Sequence, residues 1–304
     1  YEPLIIERAE GCTLVDHRGK RYLDGVSSLW CNLHGHNHPR INGAIAAQLE
    51  QLAHATSLGM SNPPAIRLAK RLADLTPGDL QHVFYASDGA AAVEAALKMA
   101  FQYWRQCPEP QPQKSKYVCF SKAYHGDTVG STSIGGIDRY ASIFGPLLFD
   151  AFRLPSPSRS DLPEGVAPED AARYRLSELE AVLAEQHEEI AAVVIEPILQ
   201  GAAGMILQPE GYLRGVRELT ERYNVLLIAD EIVTGFGRTG SLFACSREDV
   251  TPDLLCLGKS LSGGYLPIAA TVVRPAIYEA FLGDYNDKVM FCAGHTFGEI
   301  GRVS

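Results

Sequence analysis

Residues 223–267 read YNVLLIADEIVTGFGRTGSLFACSREDVTPDLLCLGKSLSGGYLP, and this stretch decides the predicted fold. It contains two short apolar runs, at 225–229 and 254–257, of which the first is followed directly by Asp230 and the second, after one glycine, by Lys259. Apolar runs of this length indicate strands that are buried on both faces of a parallel sheet. Because ligands of such sheets bind outside the carboxyl ends of the strands, we expect this carboxylate and this amine to meet at one ligand.

A carboxylate and an amine at one site are the pair that pyridoxal phosphate needs. This cofactor forms a Schiff base with a lysine, and its pyridinium nitrogen needs an acidic partner. In this interpretation Lys259 binds the cofactor and serves as general base, a task that suits a lysine whose pKa is lowered by burial. The alternative is that Asp230 caps a turn and Lys259 is a surface amine.

The residues around this stretch extend the same pattern. Helix and strand patterns alternate from residue 63 to residue 257, which predicts an α/β fold with a mainly parallel, doubly wound sheet. A strand at 82–85 leads through a polar turn into an alanine-rich helix that starts near Gly89 and Ala90. The backbone N–H groups and the dipole of such a helix start favour a phosphate.

Two further side chains stand where predicted strands end. Tyr124 follows the strand at 117–120 and is able to stack on a flat cofactor ring, although an aromatic residue at the edge of the core is the alternative. Glu196 follows the strand at 192–195 and is a candidate carboxylate for the site or for an ion pair.

Two motifs suggest other ligands, and neither fits. The His-x-His-x-His run at 34–38 lacks the spacing of a structural zinc site, so no metal is expected. The run GFGRTG at 235–240 matches G-x-G-x-x-G, but in a dinucleotide fold its last glycine opens a helix. Residues 241–247 have no helical pattern, which argues against nicotinamide or flavin binding.

Composition and charge restrict the partners and the compartment. A net charge of −9 and an isoelectric point near 5.5 argue against nucleic acid or an anionic membrane as the main partner. No apolar run approaches the roughly 20 residues that span a bilayer. The seven cysteines are scattered without a CxxC motif, which suits the reducing cytoplasm.

With these residues in hand, the chain closely resembles the class III pyridoxal-phosphate aminotransferases. The run at 227–240, followed by Gly258-Lys259, is similar to the signature of that class, and the resemblance extends from about residue 5 to Thr296. Four segments, at 27–30, 95–104, 200–205 and 263–267, resemble members that transfer an amino group from S-adenosylmethionine to 8-amino-7-oxononanoate, which gives 7,8-diaminopelargonate in biotin biosynthesis.

The resemblance implies the fold of a fold-type I pyridoxal-phosphate transferase and a role for individual residues. Lys259 matches the Schiff-base lysine and Asp230 the partner of the pyridinium nitrogen, and both are the implied catalytic residues. The other implied cofactor-binding residues are Gly89 and Ala90 at the phosphate, Tyr124 and Ile232 on the two faces of the ring, and His295 and Thr296 from the neighbouring subunit of a homodimer. The implied substrate-side residues are Trp30, Tyr124, Gly294, Asp127 and Arg238.

The resemblance also implies a division into domains. Residues 28–304 match the large cofactor-binding domain, and residues 1–27 match an N-terminal segment of the small domain. After residue 297 the sequence departs from the family, so we expect the C-terminal small domain to be missing and the chain to be a fragment or a frame-broken product. The alternatives are another class III enzyme, acting on an ω-amino acid such as ornithine or 4-aminobutyrate, or a truncated non-catalytic product.

Overall fold

The structure is a computed structural model that describes residues 3–56, 59–294 and 299–301. The strands in this part of the chain are β1 Ile6–Glu10, β2 Thr13–Asp16, β3 Arg21–Leu23, β4 His82–Ala86, β5 Lys116–Phe120, β6 Phe152–Leu154, β7 Ile190–Ile195, β8 Leu199–Gln200, β9 Ile206–Leu207, β10 Leu226–Asp230, β11 Leu254–Leu257, β12 Ala269–Val273 and β13 Glu299–Gly301. The α-helices are α1 Ser27–Trp30, α2 Pro39–Leu49, α3 Pro63–Leu75, α4 Gly89–Gln106, α5 Val129–Ser133, α6 Asp138–Ala141, α7 Ala171–Gln186, α8 Tyr212–Arg222 and α9 Pro275–Glu279.

One large sheet organises the chain, with its strands in the order β13-β4-β12-β11-β10-β7-β5-β6. Six of these strands run in one direction, and only β12 and β13 are antiparallel to their neighbours. The prediction of a mainly parallel α/β sheet is confirmed. The insertion of an antiparallel strand between β4 and β11 was not predicted.

Both faces of the large sheet are buried. Successive residues of a strand point to opposite faces, and accordingly Leu227 packs into one apolar cluster with α7 and α8 while Ile228 packs into another with α4. Helix α3 contacts β4 on the first of these faces. Burying each such side chain stabilises the fold by roughly 1.5–3 kcal/mol, which explains why these strands read as unbroken apolar runs.

Helix α4 has a capped start and is hydrogen-bonded to the sheet near its end. Asp88 caps its start, because its side chain accepts a hydrogen bond from the backbone N–H of Ala91 at 2.9 Å. Near its end, the Trp104 indole N–H donates to the carbonyl oxygen of Ala191 at 2.9 Å. The alanines between these points let the helix lie close to β11 and β12. The start of α4 is therefore held at a defined place beside the sheet.

Three regions lie outside this layered core. Strands β1, β2 and β3 form a separate antiparallel sheet. Helix α2 leaves the large apolar side chain of Leu49 64% exposed. The polar segment at 154–173 is only partly exposed: Ser156 and Ser158 are buried, and helix α7 already begins at Ala171. No helix in the described ranges is long and apolar enough to cross a membrane.

Candidate active site

A cavity of about 420 Å³ opens at the carboxyl ends of the parallel strands. Strands β10 and β11 are parallel neighbours in which Asp230 lies opposite Cys256, so Asp230 and the residues after β11 reach the same edge of the sheet. Both Asp230 and Lys259 line the cavity. The other sequence-predicted residues that line it are Gly89, Ala90, Tyr124, Asp127, Glu196 and Ile232.

Two predicted substrate-side residues, Trp30 and Arg238, do not line the cavity. The Lys259 Nζ atom is 5.7 Å from the centroid of the Trp30 ring, and the Arg238 guanidinium donates a hydrogen bond to the Trp30 carbonyl oxygen at 3.2 Å. Gly294 does not line the cavity. His295 and Thr296 lie outside the described residues.

The carboxylate of Asp230 is held by two donors. Its Oδ2 atom lies 2.7 Å from Nδ1 of His125, and its Oδ1 atom accepts the backbone N–H of Ile232 at 3.0 Å. Because a carboxylate only accepts, Nδ1 of His125 carries the proton. Burial lowers the pKa of His125, but the hydrogen bond to Asp230 and the charges of Asp230 and Glu196 outweigh burial and raise it. His125 was not predicted as a site residue, although it directly follows Tyr124 in the sequence.

Lys259 has the properties of a reactive amine. Burial lowers the pKa of Lys259, while the charges of Asp230, Glu196 and Cys31 oppose this effect only in part. A lysine with a lowered pKa has a larger neutral, nucleophilic fraction near pH 7. Its backbone φ is 39°, in the left-handed region that a residue with a side chain rarely adopts, and such strain concentrates at functional sites.

Glu196 connects two loops at the floor of the cavity. One carboxylate oxygen accepts the backbone N–H of Tyr124 and the other that of Gly201, each at 2.7 Å. Burial is the largest cause that raises the pKa of Glu196 to about 7, and the nearby Asp230 charge raises it further, while His125 lowers it. Glu196 therefore fixes the backbone that carries the Tyr124 ring.

The start of helix α4 forms an anion cradle on one side of the cavity. The first amides of a helix have no carbonyl partner within it, so those of Gly89 and Ala90 are available to a phosphate. The loop at Gly126 packs closely against this helix start. A Cβ atom on Gly126, whose φ is 123°, would lie 2.4 Å from Cβ of Ala90. The small residues at this turn therefore let the loop at Gly126 and the start of α4 lie close together.

Tyr124 and Ile232 supply an aromatic and an apolar surface to the cavity. The Tyr124 hydroxyl donates to Oδ2 of Asp127 at 2.8 Å, which orients the ring, and Ile232 is 7% exposed. Together with the Lys259 amine, the Asp230 carboxylate and the anion cradle, these surfaces fit pyridoxal phosphate: an aldehyde, a ring nitrogen, two ring faces and a phosphate each have a counterpart.

Glu231, the acidic neighbour of Asp230, has a structural role. It is fully buried, and its two oxygens accept the backbone N–H groups of Ala244 and Cys245 at 2.7 and 2.8 Å. It thereby closes the loop that contains the GFGRTG run, which forms turns and opens no α-helix. This loop lacks the strand-to-helix geometry of a dinucleotide site.

Among the residues that the structure describes, metal-ligating side chains are not clustered. Within residues 3–56, 59–294 and 299–301, no three His, Cys, Asp or Glu side chains are arranged to hold a metal ion. The central histidine of the His-x-His-x-His run, His36, instead pairs with Asp24 at 2.8 Å.

Comparisons with known proteins agree with this geometry. The sequence model of the family Aminotransferase class-III matches residues 1–299. An adenosylmethionine-8-amino-7-oxononanoate aminotransferase from Nitratidesulfovibrio vulgaris is 51% identical over 296 residues, which are 97% of this chain and 55% of that protein. The chain thus spans about half the length of that relative.

Solved structures show the same fold. The adenosylmethionine-8-amino-7-oxononanoate aminotransferase of Methanocaldococcus jannaschii superposes with a TM-score of 0.89 at 42% identity, over 98% of this chain and 66% of that one. An (S)-enantioselective omega-transaminase from Thermomicrobium roseum superposes with a TM-score of 0.90 at 36% identity, over 97% of this chain and 65% of that one.

Proposed function

The chain belongs to the class-III aminotransferase family, and we propose that the full-length protein transfers an amino group from S-adenosylmethionine to 8-amino-7-oxononanoate. The product would be 7,8-diaminopelargonate, an intermediate of biotin biosynthesis. The observation that carries the reaction type is the meeting of Lys259 and Asp230 in one cavity that also contains an anion cradle. The identity of 51% to a relative named for these two substrates supports the substrate pair.

Pyridoxal 5′-phosphate is the cofactor of this family, and when bound it supplies an aldehyde and a ring that accepts the electron pair left by a departing Cα proton. Lys259 is the residue for covalent attachment. Because the pKa of Lys259 is lowered by burial, its Nζ atom is also suited to take a proton from the Cα of the donor and return one to the acceptor.

The remaining cavity residues hold and orient the cofactor. The Asp230 carboxylate would keep a proton on the ring nitrogen, since an ionised acceptor at that position favours the protonated form. The first amides of α4, at Gly89 and Ala90, would bind the phosphate, and Tyr124 and Ile232 would enclose the ring. Trp30, Asp127, Arg238 and Gly294 remain proposed substrate-side residues.

We propose that the full-length protein is a homodimer in which His295 and Thr296 serve the cofactor of the neighbouring subunit. Exposed apolar side chains on the segment after α6 support a covered surface: Ile143 is 80% and Leu147 65% exposed. The proposed division into residues 1–27, from the small domain, and 28–304 is supported by the separate sheet of β1, β2 and β3. The seven free cysteines support a cytoplasmic location.

A class III aminotransferase for an ω-amino acid is the second candidate. It is favoured by the solved omega-transaminase, which superposes as well as the structure named for the oxononanoate reaction. The fold therefore does not separate the two activities, and the higher identity to the relative named for S-adenosylmethionine decides our preference. A truncated product that binds cofactor without turnover is the third possibility for the 304 residues alone.

Two experiments test the proposal. The first reduces the cofactor-loaded protein with borohydride and maps the adduct by mass spectrometry; we expect a pyridoxyl group on Lys259, and its absence from that residue would contradict the reaction type. The second mixes the loaded protein with single amino donors and follows the cofactor absorbance. S-adenosylmethionine should change the spectrum and ω-amino acids should not. Comparing turnover of the 304-residue chain with that of a chain extended by the remaining domain tests the third possibility.

A further inference from the structure

We propose that Glu94, on helix α4, is the positioning residue of the cavity loop, residues 124–128. It holds this loop at a fixed distance from the anion cradle, so that the Tyr124 ring meets the ring of a cofactor whose phosphate lies in the cradle. Glu94 itself does not line the cavity, so it acts through the backbone of the loop. This inference rests on the proposed cofactor chemistry, and it assigns a function to a glutamate that was not predicted as a site residue.

The Glu94 carboxylate binds the start of helix α5, which directly follows the cavity loop. Its Oε1 atom accepts the backbone N–H of Gly130 at 2.6 Å and that of Ser131 at 3.3 Å. The first amides of a helix have no carbonyl partner within it, so these two need an acceptor from elsewhere. Glu94 supplies that acceptor and thereby connects α4 to α5.

A local residue could have capped α5. Thr128 occupies the N-cap position, where a side-chain oxygen ordinarily accepts such an amide. Here the Thr128 hydroxyl pairs with Oγ of Ser131 at 2.8 Å and makes no cap hydrogen bond. The acceptor comes instead from Glu94 on another helix, 36 positions before Gly130 in the sequence. What Glu94 adds is therefore a link between α4 and the end of the cavity loop, rather than a cap alone.

The cavity loop is restrained at both ends and in its middle. At its start, Glu196 accepts the backbone N–H of Tyr124 at 2.7 Å, and just past its end Glu94 binds the first amides of α5. Between these points the loop lies against α4, since a Cβ atom on Gly126 would lie 2.4 Å from Cβ of Ala90. Two carboxylates from different elements thus determine where the loop backbone runs.

Helix α4 connects this link to the proposed phosphate site. Ala90, at the anion cradle, and Glu94 are four positions apart, so they lie on one face of the helix about 6 Å apart along its axis. One rigid element therefore holds the cradle directly and the Tyr124 loop through Glu94. The approach is close: a Cβ atom on Gly130 would lie 2.2 Å from Oε2 of Glu94. A side chain at 130 would displace the carboxylate.

The experiment compares Glu94→Leu, Glu94→Gln and Gly130→Ala in the cofactor-loaded full-length protein. Leucine removes the acceptor at similar volume, whereas glutamine keeps an Oε1 acceptor without the charge. Alanine at 130 displaces the carboxylate from the opposite side. The control is Arg105→Leu, because Arg105 is a half-buried residue of the same helix that binds the backbone carbonyls of Pro112 and Lys114, outside the cavity.

Three quantities are measured for each variant. They are the dissociation constant of pyridoxal phosphate, the visible circular dichroism of the bound cofactor, and the urea midpoint for unfolding of the cofactor-free protein. The dichroism reports how asymmetrically the protein encloses the cofactor ring. A role of Glu94 in stability alone would change the unfolding midpoint and leave the dichroism as it is in the parent.

We expect Glu94→Leu to weaken cofactor binding by roughly tenfold, as for the loss of one hydrogen bond, and to change the dichroism. Gly130→Ala should have the same two effects. Glu94→Gln should bind the cofactor within about threefold of the parent, because the acceptor is kept. Arg105→Leu should leave affinity and dichroism unchanged even if it unfolds more easily.

The proposal is wrong if Glu94→Leu keeps the affinity and the dichroism of the parent. It is also wrong if Glu94→Gln loses as much affinity as Glu94→Leu, since the loss would then not come from the acceptor. An equal loss in Arg105→Leu would likewise overturn it, because general destabilisation would explain both results.

Two further results keep the test decisive. If Glu94→Leu does not fold, Gly130→Ala decides: weaker binding with altered dichroism supports the proposal, and parent values overturn it. If the parent protein forms no borohydride adduct at Lys259, the proposed function itself fails. That result is distinct from an adduct-forming parent whose Glu94→Leu variant binds the cofactor normally, which overturns this inference alone.

Discussion

Gly89 is packed directly against Ile232: a Cβ atom at residue 89 would lie 2.8 Å from Cδ1 and 3.1 Å from Cγ2 of Ile232. The first residue of helix α4 and the apolar wall of the cavity thus share one space. A larger residue at 89 would have to push Ile232 away, and Ile232 is the side chain proposed to cover the cofactor ring.

We expect Gly89→Ala to weaken cofactor binding more than it destabilises the fold. Overpacking of this kind typically costs 1–3 kcal/mol, and here much of it would be relieved by rotating Ile232 into the cavity. Adding Ile232→Val removes Cδ1, the nearest clashing atom, and should restore part of the affinity. Titration of the single and double variants with pyridoxal phosphate measures this, and an affinity of Gly89→Ala equal to that of the parent would contradict the argument.

Glu196 should make stability depend on pH. Its pKa is raised from 4.5 to about 7, so between those values the native state keeps a proton that the unfolded chain has released. Stability therefore falls as pH rises through this window, by at most ~3 kcal/mol for this group. Glu196→Gln should flatten that slope in urea unfolding at pH 5 and pH 7.5. The control is Glu180→Gln, at a half-exposed glutamate outside the cavity, and it should leave the slope unchanged.

Lys114 should make stability rise with pH in the alkaline range, which is the opposite of the effect of Glu196. It is buried, and its Nζ atom donates to the carbonyl oxygens of His187, Ile190 and Asn224 at 2.6, 3.3 and 2.9 Å. Burial lowers the pKa of Lys114 from 10.5 to about 8, so above pH 8 the unfolded chain holds the proton that the native state loses, and stability rises with pH.

We expect Lys114→Met to abolish this rise and to lower the free energy of unfolding at pH 7 by about 1–3 kcal/mol, because three carbonyls lose their donor. Urea unfolding at pH 7 and pH 9 measures both effects. The control is Lys70→Met at an exposed lysine. A pH dependence of Lys114→Met identical to that of the parent would show that this ammonium does not titrate in the native state.

The Tyr124 ring should matter more than its hydroxyl. Tyr124→Phe loses one hydrogen bond, to the exposed Asp127, and we expect at most about a tenfold loss of cofactor affinity. Tyr124→Ala removes the stacking surface and should lose more. The measurement is the affinity of each variant for pyridoxal phosphate. Equal losses in the two variants would show that the hydroxyl, not the ring face, contributes the binding free energy.

The sequence was most informative where a strand ended in a charged residue. Buried parallel strands leave a simple signal, an apolar run that stops abruptly, and this was sufficient to anticipate that Asp230 and Lys259 reach one edge of the sheet. The turn before α4 could also be predicted, because glycine and alanine follow a strand. These features depend on residues that are close together in the sequence, so one sequence is sufficient to predict them.

Other features depend on contacts between distant residues and left no local signal. The hydrogen bond between His125 and Asp230 joins residues 105 positions apart. Glu231 directly follows Asp230 in the sequence, but its carboxylate binds the backbone of Ala244 and Cys245. The direction of β12 was likewise unpredictable, because an apolar run has the same composition whether it is parallel or antiparallel to its neighbours.

Strand β12 imposes an order of assembly on the growing polypeptide. Strand β4 and the start of α4 are made early, but within the described residues the strands that flank β4 are β12 and β13, about 190 and 215 positions later. During synthesis on the ribosome, β4 cannot join the rest of the sheet until residues 269–273 have emerged. The cavity residue Gly89 therefore cannot come together with Asp230 and Lys259 before that point. Such long-range pairing folds slowly and leaves strand edges open meanwhile. Capture of vitamin B6 is thereby postponed until these residues have been made.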